Sequence, residues 1–191
     1  MASLVDRFLA ALDEFTERVR AITPDQWSAS TPNAGWTVAD LVDHVVSAQR
    51  WAAVLLRGLD VDTAARRIDE TEQVPADPDL ASVWADAAKA AADAVRRDGA
   101  IDGQVALVRG PEPAADYVRE LIFDLVVHAW DLCRAIGYPG MLPAEVVDPV
   151  WDEAKDFGDL SPSGLFDQPV DVPDDVPTIY RLVALTGRDP L

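Results

Sequence analysis

The first stretch of the chain alternates apolar and polar residues with the period of an α-helix. From Leu4 the apolar positions recur at steps of three and four, which is typical of one buried face of an amphipathic helix. These positions are Val5, Phe8, Leu9, Leu12, Phe15 and Val19. The pair Thr23-Pro24 predicts that this helix ends near residue 23, because proline cannot continue it.

A second amphipathic helix is predicted to open at Thr37. The Thr37 hydroxyl can cap the helix N-terminus, and Asp40 three residues later completes a capping-box pattern. The helix is expected to end around Gly58. Its predicted buried positions are Leu41, Val45, Ala48, Ala52 and Leu55.

The middle of the chain has weaker patterns. Residues 60–78 are rich in charge and turn formers, so we expect mainly a connection, with at most a short helical turn near Ala64. A third helix is predicted to start at Asp77-Pro78 and to have an alanine-rich inner face. Glycines bracket residues 104–109, which could be extended.

The clearest helical pattern covers residues 113–136, because Gly137 supplies a left-handed stop and Pro139 prevents resumption. A fifth helix is predicted over residues 143–157, with Pro149 expected to kink it or delay its start. An irregular, proline-rich stretch follows. A short terminal helix is predicted over residues 178–186, closed by Gly187.

These elements predict an all-α, single-domain helical bundle. The chain has 191 residues, of which 49% are hydrophobic, so it can bury one substantial core. Four long amphipathic helices without a convincing run of alternating strands favour helix-on-helix packing.

Charge and cysteine content narrow the functional classes. Asp and Glu number 34 against 16 Lys and Arg, which gives a formal net charge of -18. This field repels phosphate and anionic lipid, so nucleic acids and membranes are not expected partners. Cys133 cannot form an internal disulfide, and charges interrupt the N-terminal apolar run before it reaches signal-peptide length. We therefore expect a soluble, cytoplasmic protein.

The chemically informative anomaly is an acid and a histidine inside an apolar helix face. Asp124 and His128 lie one turn apart in the face of the fourth helix where Leu or Val is expected. His44, the other histidine, is in phase with the buried face of the second helix. Two imidazoles and a carboxylate suit a divalent metal, and three protein ligands leave a coordination position open.

Other interpretations of these residues stay open. The histidines could be ordinary hydrogen-bonded core residues of a purely structural domain, with Asp124 accepting a hydrogen bond from a neighbouring group. Asp131 could be a fourth ligand, an acceptor for an imidazole N–H, or a solvated acid. Asp40, His44 and Ser47 imitate a hydrolase triad in sequence, but neighbours on one helix do not form a relay. Cys133 is expected to be a small buried residue.

The tryptophans are expected to be mostly core or pocket wall. Trp51 and Trp130 lie within reach of the turns that carry the metal-ligand candidates, so they could line a cavity.

Three segments resemble the DinB-like, mycothiol-dependent maleylpyruvate isomerase N-terminal metal-binding family. They are GWTVADLVDHVV (residues 35–46), DLVVHAWDLCRAIG (residues 124–137) and RLVALTGRDP (residues 181–190). The resemblance implies a DinB-like four-helix bundle with additional short C-terminal helices. It implies a divalent metal held by His44, Asp124 and His128. The characterised isomerase has a glutamate where Asp124 stands, one methylene longer.

The resemblance also implies a chemistry. Zinc is the expected metal, with nickel or iron as alternatives, and a thiol such as mycothiol would occupy the open coordination position. The acceptor would be a small electrophile, which predicts a thiol transferase or a thiol-assisted isomerase. The isomerase has a second, C-terminal domain for which this chain has no room, so the isomerase reaction itself is not expected to be inherited. The alternative is a non-catalytic metal-binding module that acts through a partner or a dimer; a homodimer is plausible by analogy.

Overall fold

The computed structural model describes residues 2–71 and 79–191. Within these residues the chain forms seven α-helices, one 3-10 turn and a two-stranded antiparallel hairpin. The helices are α1 (Leu4–Arg20), α2 (Val38–Leu55), α3 (Val61–Thr71), α4 (Leu80–Val95), α5 (Ala114–Ile136), α6 (Ala144–Ala154) and α7 (Thr178–Leu185). The strands are β1 (Gln104–Leu107) and β2 (Gly110–Pro113), and the 3-10 turn is Ser161–Ser163.

Helices α1, α2, α4 and α5 form the bundle. Helices α1 and α2 each pack against both α4 and α5, so the four helices close a ring around one core. Inside it, the rings of Phe15 and Trp84 lie 4.6 Å apart, and the Trp84 indole N–H donates to the Thr16 hydroxyl. The prediction of an all-α, DinB-like fold is confirmed.

Local signals at two helix ends also act as the sequence predicts. The Thr37 hydroxyl accepts from the backbone N–H of Asp40, and the Asp40 carboxylate accepts from the backbone N–H of Thr37. Asp40 is therefore the capping partner of Thr37. At its C-terminus α5 is stopped by Gly137 in the left-handed conformation, with φ of 65°.

The connection predicted over residues 60–78 is wrong for its first part, which is helix α3. Ala64 and Ile68 lie one turn apart, are buried, and belong to the face that packs against α2. Burial of this short apolar stripe outweighs the polar composition that suggested a loop. The predicted helix start at Asp77-Pro78 lies outside the described residues, and α4 is capped by Asp79.

Two other predicted segments are refined. The extended segment predicted over residues 104–109 forms strand β1, which pairs with β2. Helix α6 runs through Pro149 and ends at Ala154, three residues before the predicted end. No helix among the described residues is long and apolar enough to cross a membrane.

The C-terminal segment folds back onto the bundle. Helix α7 packs against α6 and α5, and the backbone N–H of Val170 donates to the carbonyl of Ala184. Gly187 ends this segment with φ of 86°, and a Cβ added there would lie 2.9 Å from the Cα of Asp167. The next residue, Arg188, contacts Asp131 of α5.

Replacing Gly187 with alanine should therefore destabilise the fold for two reasons. The positive φ alone disfavours alanine by about 1 kcal/mol, and overlap with Asp167 adds to this cost. Gly164→Ala is the matched control, since Gly164 has φ of 75° and no atom within 4 Å of the position that a Cβ would take. Urea unfolding should show a larger loss for Gly187→Ala; equal losses would contradict the close approach.

Candidate metal centre

Helices α2 and α5 bring together the three side chains that the sequence singled out. His44 projects from α2, and Asp124 and His128 project from successive turns of α5. The Oδ1 atom of Asp124 lies 3.6 Å from His44 Nε2 and 3.3 Å from His128 Nε2. One possible ligand atom from each residue lies within 4.8 Å of the other two. The three side chains thus form a compact cluster on the α2–α5 seam.

Asp124 has one oxygen in this cluster and one without a partner. Its Oδ2 is buried and accepts no hydrogen bond from any part of the chain that the structure describes. Burial alone would raise the pKa of Asp124, but the charge and hydrogen bonds of His128 and His44 outweigh burial and hold it well below its usual value. The carboxylate is therefore ionised, with a spare lone-pair site.

His128 is oriented from both sides of its ring. Its Nε2 faces Asp124, while its Nδ1 lies 2.9 Å from Asp131 Oδ2. Burial would lower the pKa of His128, but the carboxylates of Asp124 and Asp131 raise it to about 9. A neutral His128 that donates through Nδ1 to Asp131 would present the Nε2 lone pair toward the cluster.

Asp131 is held by an arginine from the far C-terminal segment. Arg188 donates from Nε to Asp131 Oδ1 and from Nη2 to Asp131 Oδ2, each at 2.7 Å. Arg188 also donates to the Thr186 hydroxyl and the Asn33 side-chain oxygen. Burial would raise the pKa of Asp131, but His128 and Arg188 lower it. Of the roles left open, Asp131 is the acceptor of the imidazole N–H and not a solvated acid.

Trp36 is a member of the site that the sequence pattern did not single out. Its ring centroid lies 5.0 Å from that of His44 and 6.0 Å from that of His128, nearly parallel to the latter. The available signal was position, because Trp36 directly precedes the Thr37 cap, where an apolar residue often packs back over the first turns. Trp36 walls one side of the cluster.

The remaining candidates lie apart from the cluster. Cys133 is partly exposed rather than buried as predicted, and its sulfur accepts a hydrogen bond from Arg18 Nε at 3.0 Å. Trp51 lines a cavity, whereas Trp130 is buried in the core beneath Arg134. Asp40 is engaged with Thr37, so the triad-like spacing of Asp40, His44 and Ser47 has no relay.

Comparisons with known proteins match most of this chain. The family model described as the mycothiol maleylpyruvate isomerase N-terminal domain matches residues 8–133. Two relatives, the uncharacterised proteins MT0763 and Rv0738 from two strains of Mycobacterium tuberculosis, are each 28% identical over 141 residues. These alignments cover 71% of this chain and 69% of each relative. No solved structure gives a significant match.

The Asp131–Arg188 pair generates a stability prediction. Asp131→Ala leaves the Arg188 guanidinium buried without its counter-charge, which should lower the free energy of unfolding by about 3–5 kcal/mol. The control is Asp116→Ala, which removes the exposed pair with Arg119 and should cost at most about 1 kcal/mol.

Urea unfolding measures both variants. The double variant Asp131→Ala/Arg188→Met should regain part of the loss, because it removes the unpaired charge as well. A loss for Asp131→Ala no larger than that of the control would contradict a buried, paired role for Asp131.

Proposed function

Since the chain belongs to the mycothiol maleylpyruvate isomerase N-terminal domain family, we propose that it is a metal- and thiol-dependent transferase or isomerase. In this proposal His44, Asp124 and His128 hold one divalent cation, with zinc the first candidate. The observation that carries the proposal is the convergence of two imidazole nitrogens and a carboxylate oxygen from two helices.

The donor set fits such a cation. Ligand atoms about 2.0–2.1 Å from a tetrahedral zinc ion lie about 3.4 Å from one another. The spacings of 3.3 and 3.6 Å between Asp124 Oδ1 and the two imidazole nitrogens are close to this value. The buried Oδ2 of Asp124 has no partner among the described residues, so it offers a further lone pair to a cation. Aspartate in place of glutamate is therefore compatible with direct coordination.

Asp131 and Arg188 orient the candidate ligand His128. Asp131 accepts the Nδ1 proton of His128 and so fixes the ring orientation and tautomer, while Arg188 keeps Asp131 ionised and in place. Such carboxylate–histidine arrangements are a common feature of metal sites and raise the basicity of the ligand.

The cluster is open on the side of His44. The His44 side chain is 43% exposed, whereas that of His128 is 8% exposed, so small molecules can approach from the α2 side. The Trp36 ring lies against both imidazoles and forms one wall of the cluster. A divalent cation at such a site supplies Lewis acidity, which lowers the pKa of a coordinated thiol toward neutral pH.

The proposed reaction joins a low-molecular-weight thiol, with mycothiol the first candidate, to a small electrophile. The thiol proton passes to solvent, and the sulfur forms a bond to the electrophilic carbon. In a transfer, the leaving group departs with its bonding electron pair. In an isomerisation, the sulfur adds to a conjugated double bond, whose electron pair moves onto the conjugated carbonyl group, and the resulting single bond rotates. That pair then re-forms the double bond while the thiolate leaves with the electrons of the C–S bond and takes a proton from solvent.

Metal content and activity test this proposal together. Gently purified protein should contain about one equivalent of zinc, nickel or iron by elemental analysis. The variants His44→Ala, Asp124→Ala and His128→Ala should each lose most of that metal. Metal-loaded protein should accelerate conjugation of mycothiol to 4-nitrobenzyl chloride, and chelation should abolish the acceleration.

Asp43→Ala is the matched control, because Asp43 is an exposed acid beside His44 on α2. It should retain metal and activity. Metal binding without any thiol conjugation would instead support a non-catalytic metal-binding module. Absence of stoichiometric metal, with the histidine variants altering stability alone, would contradict the site.

Proton release gives an independent test of the role of His128. With its pKa raised to about 9, His128 is protonated in the metal-free protein at pH 7 and must lose that proton to become a ligand. Zinc binding at pH 7 should therefore release about one proton from His128, and affinity should rise about tenfold per pH unit until pH passes about 9. Calorimetry in two buffers of different ionisation enthalpy measures this release.

The control for proton release is Asp124→Asn, which removes the carboxylate that favours the charged imidazole. At pH 8 the metal-free variant should be less protonated at His128 than the parent, as two-dimensional NMR of the imidazole can measure. A binding enthalpy that does not depend on the buffer would contradict His128 as a ligand.

A further inference from the structure

A second concave feature lies along the α2–α5 seam, away from the histidine cluster. It is a cavity of about 400 Å³ between helices α2, α3 and α5 and the β1–β2 hairpin. This volume falls within the range of small-molecule sites, about 300–1,000 Å³. The cavity is lined by Trp51, Leu55, Val61, Ala106, Leu107, Val108, Arg109 and Tyr117.

Helical spacing relates this cavity to the candidate metal centre. Trp51 follows His44 by seven residues on α2, and Tyr117 precedes Asp124 by seven residues on α5. Seven residues are close to two turns, so each pair shares a helix face and is separated by roughly 10 Å along the axis. The cavity and the cluster therefore lie on the same seam, within the reach of one elongated small molecule.

The residues that line the cavity disfavour charged ligands. Most of its surface is contributed by aliphatic and aromatic side chains. Its one cationic residue, Arg109, already contacts Glu112 at 2.8 Å and Glu120 at 2.6 Å, so its charge is neutralised. The net charge of -18 further disfavours anions. An uncharged, apolar molecule fits these surroundings best.

One polar group of the cavity, the Tyr117 hydroxyl, can orient a ligand. The Tyr117 side chain is largely buried, and its hydroxyl has no hydrogen-bond partner within residues 2–71 and 79–191. Burial, together with the nearby charge of Glu120, raises the pKa of Tyr117, so the phenol stays neutral and can donate. The hydroxyl itself is accessible, so water or a ligand in the cavity can accept a hydrogen bond from it.

We infer that this cavity binds the apolar body of an uncharged small molecule, oriented by the Tyr117 hydroxyl, and that this molecule is the electrophile of the thiol-dependent reaction. The assignment as electrophile rests on the proposed function; the assignment as an apolar binding site does not. The reacting carbon would lie toward His44 and Asp124, with the rest of the molecule between Trp51 and the hairpin. Anionic acceptors, such as maleylpyruvate, would be poor ligands of this cavity.

A neutral fluorescent probe tests the binding site. 1-Aminoanthracene should bind the parent protein with a blue-shifted, enhanced emission. Ala106→Trp fills the cavity and should weaken binding at least tenfold. Ala85→Trp, the same substitution at an exposed position of α4, should leave binding unchanged. Far-UV circular dichroism checks that both variants are folded. Equal binding by the two variants would overturn the inference.

A conservative variant tests the orienting hydroxyl without disturbing the fold. In the parent protein 1-naphthol should displace the probe more strongly than 1-methylnaphthalene, since only naphthol can hydrogen-bond to Tyr117. Tyr117→Phe should remove this preference and leave the affinity for 1-methylnaphthalene unchanged. A naphthol preference that persists in Tyr117→Phe would exclude Tyr117 as the orienting group.

The role as electrophile site is separable from the metal proposal. Probe binding should survive chelation, because the cavity lining contains none of the three candidate ligands, so a failure of the metal proposal leaves the apolar site standing. If conjugation of 4-nitrobenzyl chloride is metal-dependent, Ala106→Trp should raise its KM at least tenfold and Ala85→Trp should not. An unchanged KM in Ala106→Trp would overturn the assignment as electrophile site.

Discussion

The geometry of the candidate site depends on the neutralisation of one buried charge, that of the Asp131 carboxylate. Asp131 has no solvent exposure, and an ionised carboxylate in that position requires a cation or donors around it. Arg188 supplies the cation and His128 a further donor. Because the orientation of His128 follows from this arrangement, the geometry of the whole cluster rests on an ion pair that does not itself belong to the cluster.

Much of the architecture could be predicted from local pattern. Helices α1, α2 and α5 have continuous apolar faces and recognisable ends, such as the Thr37 cap and Gly137, so period and capping suffice. Helix α3 could not be predicted in the same way. Its apolar stripe of Val61, Ala64 and Ile68 is short and lies in a stretch rich in charge, and its stability depends on packing against α2.

The residues of the site likewise fall into those that local sequence pattern reveals and those that depend on distant contacts. Asp124 and His128 were detectable because they interrupt the apolar face of α5. His44 was detectable because it is in phase with the apolar positions of α2, although its side chain is 43% exposed rather than buried. The partner of Asp131 was not detectable, since Arg188 lies far along the chain and on another element. The family match ends at residue 133, so it contains the candidate ligands and Asp131 but not Arg188. The C-terminal segment thus completes a site whose other parts belong to the matched region.

The contact between Asp131 and Arg188, which are 57 residues apart in the chain, has a consequence for the synthesis of the protein. Translation exposes His44 early and the α5 residues later, yet Asp131 keeps an uncompensated charge until Arg188 has left the ribosome. The orientation of His128 can therefore be fixed only after that point in synthesis. Any shortened product that ends before Arg188 would lack the partner of Asp131 and would hold the His128 ring less firmly.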